Sequence, residues 1–412
     1  MLKEFCNVSE SEYDNFVGLK FIDGKPKVTF PRGFSMSNDE KQIRLDILRL
    51  LATIQRFSGR KEGTTINSLD GENKLTFPVL SYQYIIRDFL AHGYYIEQET
   101  EYKNGSKGKI NWKRTVQKKQ PVINNNNLVY LDFIIKTNKI KNNNLITKIH
   151  EFCVRESFER LGWLYLTNNI LPKKPTIKFN KNLFLGVLQD ALNSTFNDNK
   201  RMLFTSMINI VKSKMESIDD INKDAFGVNR FEYIWENMID YVFGEDNKEI
   251  YFPHAKWHIL TGRGYRKESS ALEPDTIIKL GDKIYIIDAK YYKFGITQNP
   301  QHLPASDSIQ KQITYGKYID RKISASENIY NAFVMPFNSN GREPYKFVSV
   351  GTADWEDYEN APPYYYVLGI LMDARYIIDT YSKHNLTEIE SLTHLIEESL
   401  TDYKTSEGIQ NE

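Results

Sequence analysis

Cysteine is nearly missing from this 412-residue chain, and the two that it has, Cys6 and Cys153, stand far apart and outside any metal-ligand spacing. Neither a disulfide framework nor a zinc ribbon is indicated. Long apolar runs are lacking too. None reaches the length of a bilayer span, and Met1-Leu-Lys-Glu-Phe-Cys-Asn-Val8 has no uninterrupted apolar region of the secretory kind, so a cytoplasmic protein without a membrane contact is expected. No Gly-x-x-x-x-Gly-Lys-Ser/Thr phosphate loop occurs, so a nucleotide-driven step would have to come from another chain. Net charge is equally scarce, at +1 from 54 basic and 53 acidic residues, which leaves the distribution of charge as the informative quantity.

What is present is apolar and aromatic mass, 41% and 13% of residues, enough for sizeable cores and two domains. Helical spacing of apolar residues predicts helices over 39–57, 78–92 and 145–161, and 181–214 reads as helical. Strands are expected at 94–102 and 110–116, as a pair, and at 128–136. From about 219 onward, strands at 257–260, 275–280, 283–291, 330–336, 347–353 and 364–372 alternate with helices, a mixed sheet. The expected organisation is an N-terminal α+β domain over 1–180, a helical connector over 181–218 acting as a hinge, and an α/β domain over 219–412. A final amphipathic helix, 387–403, caps the core or docks a partner.

The segment from Glu273 to Lys290 carries the chemistry. Gly281-Asp282 supplies a turn between two apolar strands, so Asp275 and Asp288 are brought to one end of a hairpin. Side chains alternate along a strand, which points Asp288 and Lys290 the same way and Ile287 and Ala289 into the core. Two carboxylates a few ångströms apart repel unless a cation joins them, and hard oxygen donors select Mg²⁺ or Mn²⁺. Such a pair, with Lys290 to orient or deprotonate a water, suits hydrolysis of a phosphodiester. Upstream, the apolar periodicity of 229–243 places Glu232 and Glu236 on successive turns, with Glu236 the preferred further ligand. Downstream, Gln312 sits on a predicted helix, either holding the attacked phosphate or water or lying on an exposed polar face.

Basic residues cluster elsewhere. Between Lys103 and Lys119 lie Lys103, Lys107, Lys109, Lys113, Arg114, Lys118 and Lys119 with no acid among them, whereas 388–412 is mostly acidic. Phosphate contacts from this run would make DNA binding fall steeply with salt. The plain alternative is a solvated hairpin face, with Trp112 sharing a buried side with Ile110 rather than stacking on a base. Arg263 and Arg266, in Arg263-Gly-Tyr-Arg-Lys267, read either as a clamp on the scissile phosphate or as an ordinary basic loop. His254 and His258 have the i, i+4 spacing of a zinc site without its acid.

Taken together, Pro274-Asp275, Asp288-Ala-Lys290 and a preceding helix with Glu236 resemble the PD-(D/E)XK nuclease superfamily, and Ile287-Asp-Ala-Lys-Tyr-Tyr292 is similar to McrC-type nuclease subunits. Gly93-Tyr-Tyr-Ile96 and Gly108-Lys-Ile-Asn-Trp-Lys-Arg-Thr115 resemble the LlaJI family of restriction endonucleases. The spacing of Gln312 and Tyr315 is three, where related nucleases often have four. The resemblance implies a restriction-endonuclease-like mixed sheet flanked by helices and a Mg²⁺-dependent DNA endonuclease. Its metal ligands would be Asp275, Asp288, Glu236 and the backbone carbonyl of Ala289, with Lys290 and Gln312 completing the catalytic set. It further implies a restriction system with double-stranded DNA as substrate, a McrB-like AAA+ GTPase as partner and dimerisation of the nuclease. On that view Lys107, Lys109, Trp112, Lys113 and Arg114 contact either DNA or the motor. Two other classes stay open: a non-catalytic DNA-binding or assembly module with a nuclease fold, and a repair nuclease working without a GTPase.

Overall fold

The computed structural model describes residues 2–9, 15–61, 74–75, 77–124, 127–140, 144–165, 171–214, 224–258, 266–323, 328–339, 346–354, 361–382 and 384–410. It separates into two compact units. One joins Met1–Leu75 to Ser217–Glu412, and the other is Thr76–Glu216. The expected division at 180 and 218 is thereby corrected, for a reason of strand pairing. Ala225–Val228 lies between Val17–Ile22 and Lys74–Leu75 in one sheet, with Phe226 opposite both Leu19 and Leu75. The first 75 residues are part of the same body as the C-terminal half.

In that body a second sheet, of five strands, holds the motif. Its order is Thr276–Leu280, Lys283–Ala289, Ile329–Phe337, Val367–Asp373, Phe347–Ala353, with antiparallel pairs at the two edges and parallel pairs between. This is the mixed α/β architecture expected. The edge hairpin closes in two residues because Gly281 takes φ +65°, a region open to glycine at little cost. Lys283–Ala289 is buried nearly throughout, as a strand covered on both faces must be. Its even positions Ile284 and Ile286 pack with Tyr315 and Ile319 of the helix Ser306–Ile323. From the opposite face, Tyr285 donates its hydroxyl to Glu397 of the helix Leu386–Gln410. Each large aliphatic side chain sealed this way contributes about 1.5–3 kcal/mol.

The helix Glu232–Phe243 follows Ala225–Val228 directly and is fixed by Trp235, fully buried, whose indole N–H donates to the Val334 carbonyl at 3.3 Å. On the N-terminal side, Gly33 takes φ +78°, and a Cβ there would lie 3.0 Å from the Phe337 backbone nitrogen. Only glycine allows the chain to pass so close to the end of that strand. The strand expected at 257–260 is His254–His258, paired with Arg266–Ala271.

The unit Thr76–Glu216 clusters the helices Val79–His92, Leu145–Tyr165, Lys181–Ser194 and Asp198–Ser213. The last two belong to this cluster, so 181–214 is part of a packed body rather than a free connector. A three-stranded antiparallel sheet sets Ile134–Ile140 between Gln98–Asn104 and Lys109–Ile110. The expected partnership of 94–102 with 110–116 is thus replaced by pairing of both segments with Ile134–Ile140. Trp112–Lys118 is a helix, because the Asn111 side chain caps it by accepting from the Arg114 N–H at 3.0 Å. Among the described residues no helix is long and apolar enough to cross a membrane.

Candidate active site

Asp275 stands one residue before its strand, and its Oδ2 accepts the Ala289 N–H at 2.8 Å. That bond ties the start of one hairpin arm to the end of the other and brings Asp275 against Asp288. Asp288 is 1% exposed, its Oδ2 lies 2.5 Å from the Lys290 ammonium, and its Oδ1 has no hydrogen-bond donor. Burial pushes the Asp275 carboxyl well above the usual range, the Asp288 and Glu236 charges push it further, and the Ala289 N–H opposes them. For Lys290, burial works to lower the pKa. The Asp288 charge and hydrogen bond, with Asp275 behind them, override it and raise the value. The pairing with Asp288 favours the ammonium form of Lys290.

Glu236 is half-buried and borders two pockets. One, of about 360 Å³, also contains Lys290, Ala289, Arg32 and Asn229. The other, of about 310 Å³, contains Asp275, Glu273 and Asn237. Glu232, one turn earlier, is paired with Arg230 at 2.7 Å. Among the described residues no three His, Cys, Asp or Glu side chains stand together as a ready-made metal cluster. The geometry is a carboxylate pair with a third acid close enough to act on Asp275 by its charge. An orphaned carboxylate oxygen in a dry setting, beside a carboxyl forced toward its neutral form, is what a site for a hard divalent cation looks like. Asp275, Asp288, Glu236 and the Ala289 carbonyl are all oxygen donors and fit Mg²⁺ or Mn²⁺ on that ground.

Gln312 is a correction. It is fully buried, and its Nε2 donates to the carbonyls of Ala332 at 3.1 Å and Ile286 at 3.4 Å, bracing two strands from within instead of reaching a phosphate or forming an exposed face. Three residues on, the Tyr315 hydroxyl donates to the Glu273 carbonyl at 3.0 Å, and its pKa is raised by burial first and by Asp288 and Asp275 after it. Lys248 supports the same loop, with Nζ 2.5 Å from the Asp275 carbonyl and 2.6 Å from Asp240. Tyr315 enters the sequence reading only through its spacing from Gln312, and nothing local to 248 marks the hairpin as its neighbour.

Arg263 lies outside the described residues. Arg266 opens the strand opposite His258. Lys107, Lys109, Lys113 and Arg114 are exposed in the other unit, and the Arg114 guanidinium lies 3.8 Å from the Tyr102 ring centroid. Trp112 is corrected as well. It is 57% exposed, its ring meeting Tyr130 and Phe133 edge-on, because a helix replaces the strand that would have buried it with Ile110.

Similarity to known proteins runs along nearly the whole chain. A family model described as LlaJI restriction endonuclease matches residues 16–361. The Type II restriction enzyme BsuMI component YdjA of Bacillus subtilis (strain 168) is 25% identical over 401 residues, covering 93% of this chain and 84% of that protein. Among solved structures, a chain of the half-complex of Thermococcus gammatolerans McrB AAA+ hexamers with bound McrC aligns over 93% of this chain and 83% of its own length. The identity there is 14% and the TM-score 0.39, a likeness too loose to build on.

Proposed function

The chain belongs to the LlaJI restriction endonuclease family, and from that premise we propose that it is the DNA-cutting subunit of a restriction system. In this reading it hydrolyses phosphodiesters of double-stranded DNA with Mg²⁺ when activated by a McrB-like AAA+ GTPase. The observation that carries the reading is the hairpin end: Asp275 clamped to the Ala289 N–H, Asp288 buried with a free Oδ1, and Lys290 paired with it. Asp275 and Asp288, with Glu236 and the Ala289 carbonyl, would hold the cation, which when bound supplies positive charge to the phosphate and acidifies the attacking water. Lys290 orients that water and offsets charge developing on phosphate oxygens. The buried walls around Asp288 keep these charges strong by excluding bulk water.

A subunit, rather than a complete machine, is supported by two facts. The relative from B. subtilis is titled a component of its enzyme, and this sequence has no phosphate loop of its own. Cutting both strands calls for two such sites, so paired nuclease subunits are part of the proposal. Lys107, Lys109, Trp112, Lys113 and Arg114 would contact DNA or the motor. Lys113→Ala with Arg114→Ala separates the two, weakening DNA binding by the chain alone in one case and lowering stimulated GTP hydrolysis in the other.

The test is plasmid cleavage with Mg²⁺ by wild type, Asp288→Ala and Lys290→Ala, each with and without the co-encoded AAA+ protein and GTP. Cleavage by wild type only, and only with motor and GTP, is expected. Cutting by wild type alone at nanomolar concentration would favour a repair nuclease. Equal cutting by all three proteins would remove the proposed site.

A further inference from the structure

We infer that Arg32, from the N-terminal segment, binds a backbone phosphate of the DNA in the pocket beside Lys290; this rests on the nuclease reading above. Arg32 is 9% exposed and is built into the site through Tyr291, the residue after the motif lysine. Its backbone N–H donates to the Tyr291 hydroxyl at 2.6 Å, its Nη1 donates to the Tyr291 carbonyl at 2.9 Å, and its guanidinium sits 5.1 Å from the Tyr291 ring centroid. Gly33, pressed on the Phe337 backbone, fixes the chain immediately after it. The guanidinium is thus positioned before any substrate arrives.

Among the described residues Arg32 lacks an ion-paired anion, and its Nε, buried, has no hydrogen-bond partner. Of the two acids that line the same pocket, Glu232 is engaged by Arg230, and Glu236 acts by its charge on Asp275. A buried cation without a counter-charge is costly to keep unless a ligand supplies one. The planar fork of a guanidinium matches two oxygens of a phosphate, and the pocket of about 360 Å³ that Arg32 shares with Lys290 is large enough for that group. Arg32 also borders a second pocket with Gln301 and His302, which shares Tyr291 and Tyr292 with the first, so it stands where a strand could pass from one to the other. The role is sequence-independent anchoring, and it places the scissile bond against the carboxylates.

The experiment measures binding of a short DNA duplex by the full-length chain at several salt concentrations, with Ca²⁺ replacing Mg²⁺. Cleavage by the same proteins is followed in parallel with the AAA+ partner present. Arg32→Gln should weaken binding roughly tenfold on any duplex sequence and reduce the slope of log K against log salt by about one. Arg32→Lys should keep the slope. Arg32→Met is measured alongside, since its apolar stem preserves packing on Tyr291, and whichever neutral variant melts with wild type decides the result. An unchanged slope in that variant, while wild type cuts DNA, overturns the role of Arg32 and leaves the nuclease reading standing. Loss of the slope in Arg32→Lys overturns a role based on charge. Absence of both binding and cutting in wild type removes the nuclease reading and Arg32 with it.

Discussion

The hairpin Thr276–Ala289 and the block Gln98–Ile140 treat polar and apolar groups in opposite ways. In the hairpin, charge is taken inside: Asp288 is sealed from solvent and paired with Lys290, and Asp275 accepts the N–H of its neighbour Ala289. In the block, apolar groups are left outside, Ile123 at 75% and Leu131 at 71% exposed, among exposed lysines. Inward charge is maintained against a desolvation cost, and the proposed nuclease chemistry would account for it. Outward apolar area makes little contribution to the fold that carries it. The difference teaches that neither device serves stability: sealed charge costs desolvation, and exposed apolar area adds little to the fold.

The strongest way to break that contrast is Asp288→Asn. Cleavage should fall by on the order of 10³-fold, while the melting temperature stays level or rises, because a buried charge has been removed. A large drop in melting temperature would mean that the carboxylate supports the fold instead. His150 sharpens the contrast within the other unit. Its Nδ1 accepts the Tyr95 N–H at 2.9 Å, which leaves the proton on a buried Nε2, and burial lowers its pKa to about 4. The unfolded histidine takes up a proton below about pH 6.5 and the folded one does not. Stability conferred by keeping it neutral is complete above that pH and lost as pH falls toward about 4, by about 3 kcal/mol at most. Hydrogen-exchange protection factors in Leu145–Tyr165 should fall over that window, and His150→Gln should flatten the response.

Smaller effects come from the two corrected residues. Gln312→Leu removes the donor that Ala332 and Ile286 use, so it should cost about 1–3 kcal/mol of stability; cleavage per folded molecule should hold. Loss of cleavage at an unchanged melting temperature would return Gln312 to the site. Trp112→Ala should move stability by no more than about 0.5 kcal/mol, since the ring is largely in solvent. Its effect, if the block binds DNA or a partner, appears in affinity alone.

Local signals made the hairpin, the helices and the mixed sheet legible. Gly281-Asp282 announces a two-residue turn, alternation assigns Asp288 and Lys290 to one side, and helical spacing finds Glu232–Phe243. Two sorts of information stayed hidden. One is competition at short range: at 109–118 an Asn111 cap and the buried Thr115, whose hydroxyl accepts the Ile134 N–H at 3.0 Å, turn an apparent strand into a helix. The other is contact at long range. Arg32 joins Tyr291 only because the first strands pair with Ala225–Val228, and no residue near position 32 foretells that. Gln312 was misjudged for a related reason, as a polar side chain on a helix is read as solvated until the carbonyls it meets are known.

The pairing of Lys74–Leu75 with Ala225–Val228 has a bearing on how such a molecule can change. It sets the point where the chain leaves its first body next to the point where it comes back, at about the 5 Å separation of neighbouring strands. The stretch of about 140 residues between those two points is a compact unit of its own. It can be lengthened, exchanged or cut away without drawing a strand out of the sheet that holds Asp275 and Asp288. Its sequence is therefore free to vary at a rate that the hairpin, locked between its neighbours, is not.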